Sequence, residues 1–270
     1  MRKAILPLLC LSLLAGTIAK AQISLTAGLG MSDYYGDLSA KIFDQPSMSG
    51  TLGFSYDFSS KFSWLTEFSF MQIKGFDSKS KRADLVARNL SFKSNIWNIN
   101  TGVVYDILDI TGDRIFTPYV FLGIGLMHFN PYTTDRFGKK QYLQPLGTEG
   151  QGIAGYLDPY KLTQLEIPIG LGLKYVLNDK FVLQLDLRYH YVDTDYLDDV
   201  STDYLPLATL NAKNPNLHYL SYRADELPGG APYPNKGSDI RGNPSNKDSY
   251  YTTQIKVAYR LKSRKLDINY

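Results

Sequence analysis

The chain has 270 residues, 29 Lys and Arg against 26 Asp and Glu, a formal charge of +3 and one cysteine. That length admits one large or two small domains, and a single cysteine excludes a disulfide framework and any multi-cysteine metal site. The near-balanced charge, without long basic runs, argues against a nucleic-acid binder, while 13 Phe, 21 Tyr and 22 Gly point to β structure.

The first element is an export signal rather than part of the fold. Arg2 and Lys3 precede an uncharged, mostly apolar stretch, Ala4 to Ala19, and Ala19-Lys20-Ala21 supplies small residues for a signal peptidase. The stretch is shorter than the roughly 20 residues of a spanning helix. Cys10 lies mid-stretch after Leu9, where a lipoprotein acceptor would need a small residue. Residues 1–21 are therefore expected to be removed as a signal peptide. Arg2, Lys3, Lys20 and Cys10 leave with it, so the mature chain is charge-neutral and cysteine-free.

Eight strands are predicted from period-2 alternation. Ile23 to Gly30 alternates apolar with small or polar residues. Met48, Leu52, Phe54, Tyr56 and Phe58 form one row of the second strand. After the turn Ser59–Lys61, the third sets Trp64, Phe68 and Phe70 against Ser63, Glu67 and Ser69. The fourth sets Trp97, Ile99, Val103 and Tyr105 against Asn98, Asn100 and Gly102, and the fifth has a row from Val120 to Leu126. The last three alternate over about ten residues each. They run from Leu165 to Tyr175, from Phe181 to Tyr191, and from Tyr251 to Leu261.

The links after strands two, four and six are short, and those after one, three, five and seven are long: about 31–46, 75–90, 130–161 and 192–249. An even strand count with this asymmetry describes an all-β, eight-stranded antiparallel up-and-down transmembrane barrel, with short periplasmic turns and long extracellular loops. A soluble lipocalin-like barrel also alternates, but would turn its Leu and Ile rows inward. Aromatics at the row ends (Trp64, Tyr105, Tyr175, Phe181, Tyr189, Tyr191, Tyr251, Tyr259) suit interfacial girdles, and the opposite row mixes Gly and Ala with charges of both signs. The expected domains are the signal peptide (1–21), the outer-membrane barrel (22–261) and a periplasmic C-terminal tail (262–270).

Eight strands enclose a lumen that side chains just fill. The inward row carries Glu67, Glu166, Lys174, Asp186, Arg188, Lys256 and Arg260. Charges of both signs in a low-dielectric lumen must pair, so an internal salt-bridge network is expected. Such a barrel does not pass a folded protein.

Catalytic and metal signals are thin. His190 faces inward near Asp193 and Asp195 in sequence; a His–Asp pair can make a general base or be one more lumen pair, and no nucleophile motif accompanies it. The cluster Asp193, Asp195, Asp198, Asp199 and Asp203 departs from the EF-hand spacing, with Leu197 at the third ligand position; the default is a solvated acidic loop, and calcium binding by five carboxylates in one short loop is the alternative. No enzyme activity, cofactor or metal is assigned. The 192–249 loop, rich in Tyr and Pro, suits a contact surface or a lid over the barrel mouth. Lys262, Arg264 and Lys265 suit anionic head groups, a periplasmic partner, or a solvated tail.

Several loop segments carry a family resemblance. They are Tyr34-Tyr35-Gly36-Asp37-Leu38, Gly150-Gln151-Gly152, Ile167-Pro168-Ile169-Gly170, Thr194-Asp195-Tyr196-Leu197-Asp198-Asp199-Val200-Ser201-Thr202, and Arg241-Gly242-Asn243-Pro244 followed by Asp248-Ser249-Tyr250. As a set they resemble the PorG-like outer-membrane barrels of Bacteroidetes, a component of the type IX secretion system. The resemblance implies outer-membrane lipids around the barrel. It also implies, as partners, a periplasmic ring of a PorK/GldK-like lipoprotein and a PorN/GldN-like protein, a role in secretion and in some species in gliding, and no catalytic residues. The residues it singles out are Tyr35, Gly36, Asp37, Asp195, Tyr196, Asp198, Asp199, Arg241, Gly242, Asn243, Pro244 and Asp248. The alternative from the residues alone is an adhesin or ligand-binding barrel acting through its long loops.

Overall fold

A computed structural model describes residues 22–109, 115–215, 217–234 and 239–261. The signal segment and Lys262, Arg264 and Lys265 lie outside these residues. Among the described residues, eight long antiparallel strands close on themselves: β1 (Gln22–Tyr35), β2 (Ser47–Asp57), β3 (Phe62–Phe76), β4 (Ser91–Asp106), β5 (Phe116–His128), β8 (Thr163–Val176), β9 (Phe181–Val192) and β10 (Ser249–Arg260). β1 pairs with β10 and each other barrel strand with its sequence neighbour, including β3 with β4. The barrel has no free edge. Two short strands, β6 (Pro131–Thr134) and β7 (Lys140–Tyr142), make a hairpin that extends β4 above the barrel.

Alternation decides which face meets which medium. Leu29, Leu122 and Leu171 stand outward, 71%, 60% and 61% exposed, while the charged row is buried. Water would not tolerate a continuous outward belt of Leu, Ile, Val and Phe, and a lipid bilayer requires one. Aromatic pairs in ring contact bound the belt. Phe62 against Tyr105 and Phe181 against Tyr259 mark the short-turn end; Tyr189 against Tyr251 and Trp97 against His128 mark the other. The soluble alternative fails on the orientation of these rows.

β1 runs further outward than predicted, to Tyr35, whereas β3 ends at Phe76 and β4 begins at Ser91, within two residues of the expected loop. Above the belt the outward row turns polar (Gln72, Lys74, Lys93, Asn95), which hides the alternation, while Met71, Ile73, Phe92 and Ile96 continue to fill the interior. The long loops are not extended coil. They hold helices α1 (Ala83–Arg88), α2 (Leu207–Lys213) and α3 (His218–Ser221). Tyr204, Tyr222 and Tyr233 pack their rings edge to face within the longest loop, which lies over the mouth as a lid. Among the described residues no helix is long and apolar enough to cross a membrane.

Candidate functional site

The lumen charges sort into three levels rather than one network. At mid-barrel, Glu67 meets Arg188 at 2.6 Å and Lys256 at 2.9 Å, and Asp186 meets the same two bases at 2.9 and 3.0 Å. Two acids and two bases form a neutral square. Tyr119 donates to Asp186 at 2.6 Å, and Arg188 lies over the Phe121 ring. The stems need room that inward glycines leave: a Cβ on Gly28 would come within 2.6 Å of Lys256 Cγ, and one on Gly53 within 2.6 Å of Glu67 Cγ. All four charged side chains are at most 4% exposed, so this layer closes the lumen to water.

Toward the short turns, Lys174 pairs with Asp106 at 2.7 Å, and Arg260 lines the same end. Toward the mouth, Glu166 joins no lysine or arginine among the described residues. It accepts from Asn98 Nδ2 at 2.9 Å and from the Tyr250 hydroxyl, and faces His190 Nδ1 at 3.3 Å. Eight residues separate Glu166 from Lys174, roughly 26 Å along a strand, which keeps them in different layers. His190 therefore partners Glu166, and Asp193 points outward beside Lys247. His190 Nε2 lies 3.2 Å from Thr252 Oγ1, giving a hydroxyl, an imidazole and a carboxylate in sequence. The Tyr250 ring covers the imidazole at 4.2 Å, and Thr252, His190 and Glu166 are all buried. A substrate has no approach to this trio.

Above an apolar layer containing Phe92, Phe129, Leu197 and Val200, four loops meet in a buried charged cluster. Tyr34, next to last in β1, is buried inside the mouth. Its hydroxyl lies 2.6 Å from Asp198 Oδ2 and 2.8 Å from Asp248 Oδ1. A hydroxyl has one proton to give, so both contacts are hydrogen bonds only when one carboxyl is itself protonated and donates. Burial pushes both acids well above the usual carboxylate range, and each lies near a further carboxylate, Asp37 for Asp198 and Asp195 for Asp248. Their other oxygens accept from the backbone N–H groups of Val200 and Leu197.

Arg241 is the cation of the cluster. Its guanidinium reaches Glu149 at 2.6 Å and the Asp199 carbonyl at 2.6 Å, and donates to the Ser221 carbonyl. Glu149 also accepts from Ser201 N, Thr202 N and Thr202 Oγ1. Asp199, in the left-handed region at φ +70°, accepts from Tyr160 at 2.7 Å and from Thr148. Burial lifts Asp199 to about 6 against the opposing pull of Arg241; burial and nearby Asp37 lift Asp195 to about 7. Asp37 accepts from Asn243 N at 2.9 Å. Two glycines make the closeness possible. A Cβ on Gly36 would sit 1.9 Å from Asp248 Oδ1, and one on Gly242 2.6 Å from Asp37 Oδ2.

The sequence-flagged loop residues thus divide. Gly36, Asp37, Asp195, Asp198, Asp199, Arg241, Gly242 and Asp248 converge. Tyr196 stacks on Tyr160 at 4.6 Å beside them, while Asn243 contributes only its backbone and Pro244 is exposed. Tyr35 is half-buried on the outward row, and its neighbour Tyr34 takes the inward place. The solvated acidic loop is corrected: Asp195, Asp198 and Asp199 are buried, Asp193 and Asp203 exposed. Among the described residues no three His, Cys, Asp or Glu side chains are placed to hold a metal ion. Sequence reasoning missed Glu149, Tyr160, and Arg88, which pairs with Asp77 at 2.7 Å and donates to the carbonyls of Asp37 and Arg241. Glu149 immediately precedes Gly150-Gln151-Gly152, which was a usable signal; Arg88 stands alone in sequence.

A closed barrel with an apolar outer belt, aromatic margins, a sealed polar lumen and a loop cap defines an outer-membrane β-barrel. The chain belongs to the family described as a domain of unknown function (DUF6089), whose model matches residues 3–222. That match ends before Arg241, Asp248 and β10. No curated protein matches the sequence. Among solved structures the chain is similar to Neisserial surface protein A (TM-score 0.46, 10% identity, 89% of this chain and 98% of that one). It is similar also to Ail, the attachment invasion locus protein of Yersinia pestis, in complex with the heparin analogue sucrose octasulfate (TM-score 0.44, 12% identity, 90% and 99%). A third is the outer membrane enzyme PagL (TM-score 0.31, 13% identity, 87% and 97%). These likenesses concern barrel shape alone.

Proposed function

We propose that the protein is a non-enzymatic barrel component of a type IX secretion system, anchoring or assembling the periplasmic ring at the outer membrane after removal of residues 1–21. One observation carries the reading: the Glu67–Asp186–Arg188–Lys256 layer closes the lumen, so the barrel serves as an anchor and not as a conduit. The resemblance of the loop motifs to PorG-like barrels supplies the system, and eight of those motif residues share one buried cluster. The ring partners, a PorK/GldK-like lipoprotein and a PorN/GldN-like protein, would meet the short turns and the tail carrying Lys262, Arg264 and Lys265. Crosslinking in intact cells followed by purification of the barrel should recover the ring lipoprotein, and deletion should stop secretion of cargo. No recovery together with normal secretion would sink the proposal.

An adhesin or receptor role through the loops is the second reading. It is favoured by Phe137, 84% exposed at the tip of the β6–β7 hairpin, where Asp135 caps the turn by accepting from the backbone N–H groups of Phe137 and Lys139. Removing the hairpin should abolish attachment and leave secretion intact if that reading holds.

A further inference from the structure

The lipid-facing wall of the barrel has a gap. Gly50 of β2 stands in cross-strand register between Leu29 of β1 and Phe70 of β3. A Cβ there would meet nothing closer than 3.5 Å, so packing does not demand glycine at this position. Its effect is to interrupt the apolar belt. The gap belongs to a groove of about 1440 Å³ that Leu52 and Phe68 line toward mid-membrane and Lys74 closes at the outer end. From Leu52 to Ser47 the groove follows five residues of β2, roughly 17 Å, about half of the roughly 30 Å hydrocarbon thickness. That is the reach of one acyl chain in one leaflet.

Three ammonium groups gather above its outer end. Lys74 and Lys93 stand opposite each other across β3 and β4 and share the outward face. Lys79 and Lys93 both approach the Phe76 ring, at 5.2 and 5.9 Å from its centroid. None of the three forms a salt bridge among the described residues. Like charges this close repel, and the three ammonium groups outnumber Asp33, the carboxylate near Lys74, which is engaged by the backbone N–H groups of Asp44 and Gln45; an acyl-length groove ending there calls for an amphiphile with an anionic head. The long loops mark this end as the outer one, where the anionic lipid of an outer membrane is a phosphorylated glycolipid.

We propose that the groove binds such a glycolipid, with one acyl chain lying over Gly50 and a phosphate held by Lys74, Lys79 and Lys93. The site is independent of the secretion reading. Titration of the full barrel in detergent micelles with monophosphoryl lipid A, counting bound lipid by native mass spectrometry, tests it. Replacing Lys74→Gln and Lys93→Gln together should weaken lipid A binding by roughly ten-fold or more. Gly50→Leu, which fills the groove without touching a charge, should weaken it comparably. The gel shift on heating reports that each variant is folded, and if the lysine variant fails to fold, Gly50→Leu decides alone. Unchanged binding in the folded variants would overturn the proposal. So would equal binding of phosphatidylglycerol, which would make the patch a general anionic-lipid surface, or displacement of lipid A by inorganic phosphate, which would make it a free-phosphate site.

Discussion

Arg241 shows how single residues set the cap. It is 2% exposed and is the cation that Glu149 and Asp199 share, so Arg241→Ala leaves two carboxylates buried without their counter-charge. Breaking a buried pair in this way costs about 3–5 kcal/mol. The expected outcome is rapid proteolysis of the 192–249 loop while the barrel keeps its shift on heating. The acids set a pH dependence of definite sign. Asp199 at about 6 and Asp195 at about 7 lie above their unfolded values, so the folded cap binds more protons than the open one between roughly pH 4 and pH 7, and its stability falls as pH rises through that window. Hydrogen exchange of the loop amides should therefore be slower at pH 5 than at pH 8, after correction for intrinsic rates. Asp198→Asn keeps a neutral partner for Tyr34 and should hold the cap closed at pH 8; faster exchange than wild type there would refute the protonated pair.

At the scale of elements, the strands were legible where one medium lies on each face. β8, β9 and β10 alternate without a break because lipid faces one row and the lumen the other. A charge placed on the lipid row should be costly by position: Leu171→Arg, at mid-strand on β8 and 61% exposed, is expected to lose roughly 2–4 kcal/mol. Thr163→Arg, at the outer end of the same row, should cost about 1 kcal/mol or less, as read by unfolding in lipid vesicles. Equal costs would indicate a water-exposed barrel. Above the membrane both faces meet protein or water, and the alternation that located β3 and β4 fades although the strands continue. The cap was legible only as a set of motifs. Asp37, Asp198 and Arg241 stand far apart in sequence, and the contacts that bury them come from register and loop packing. Tyr34 could have been chosen over Tyr35 by carrying the β1 alternation four residues further, since Ser32 and Tyr34 continue the inward row. Arg88 and Asp77 lie in a loop with no periodic signal.

For the whole molecule, membrane, lumen and cap fit one design, a barrel closed at two levels. The neutral square at mid-barrel needs no water and no ion, and the cap above it ties β1, the loop after β5 and the two ends of the longest loop to one cluster. A structure built this way holds position in the bilayer and presents two faces, with short turns on one side and an ordered lid on the other. Conductance across a planar lipid bilayer tests the central claim, a sealed barrel, most directly. The purified protein should give no steady conductance steps, and Arg241→Ala should give none either, since the Glu67–Asp186–Arg188–Lys256 layer remains beneath the opened cap. Stable, porin-like steps from the wild-type protein would contradict the account.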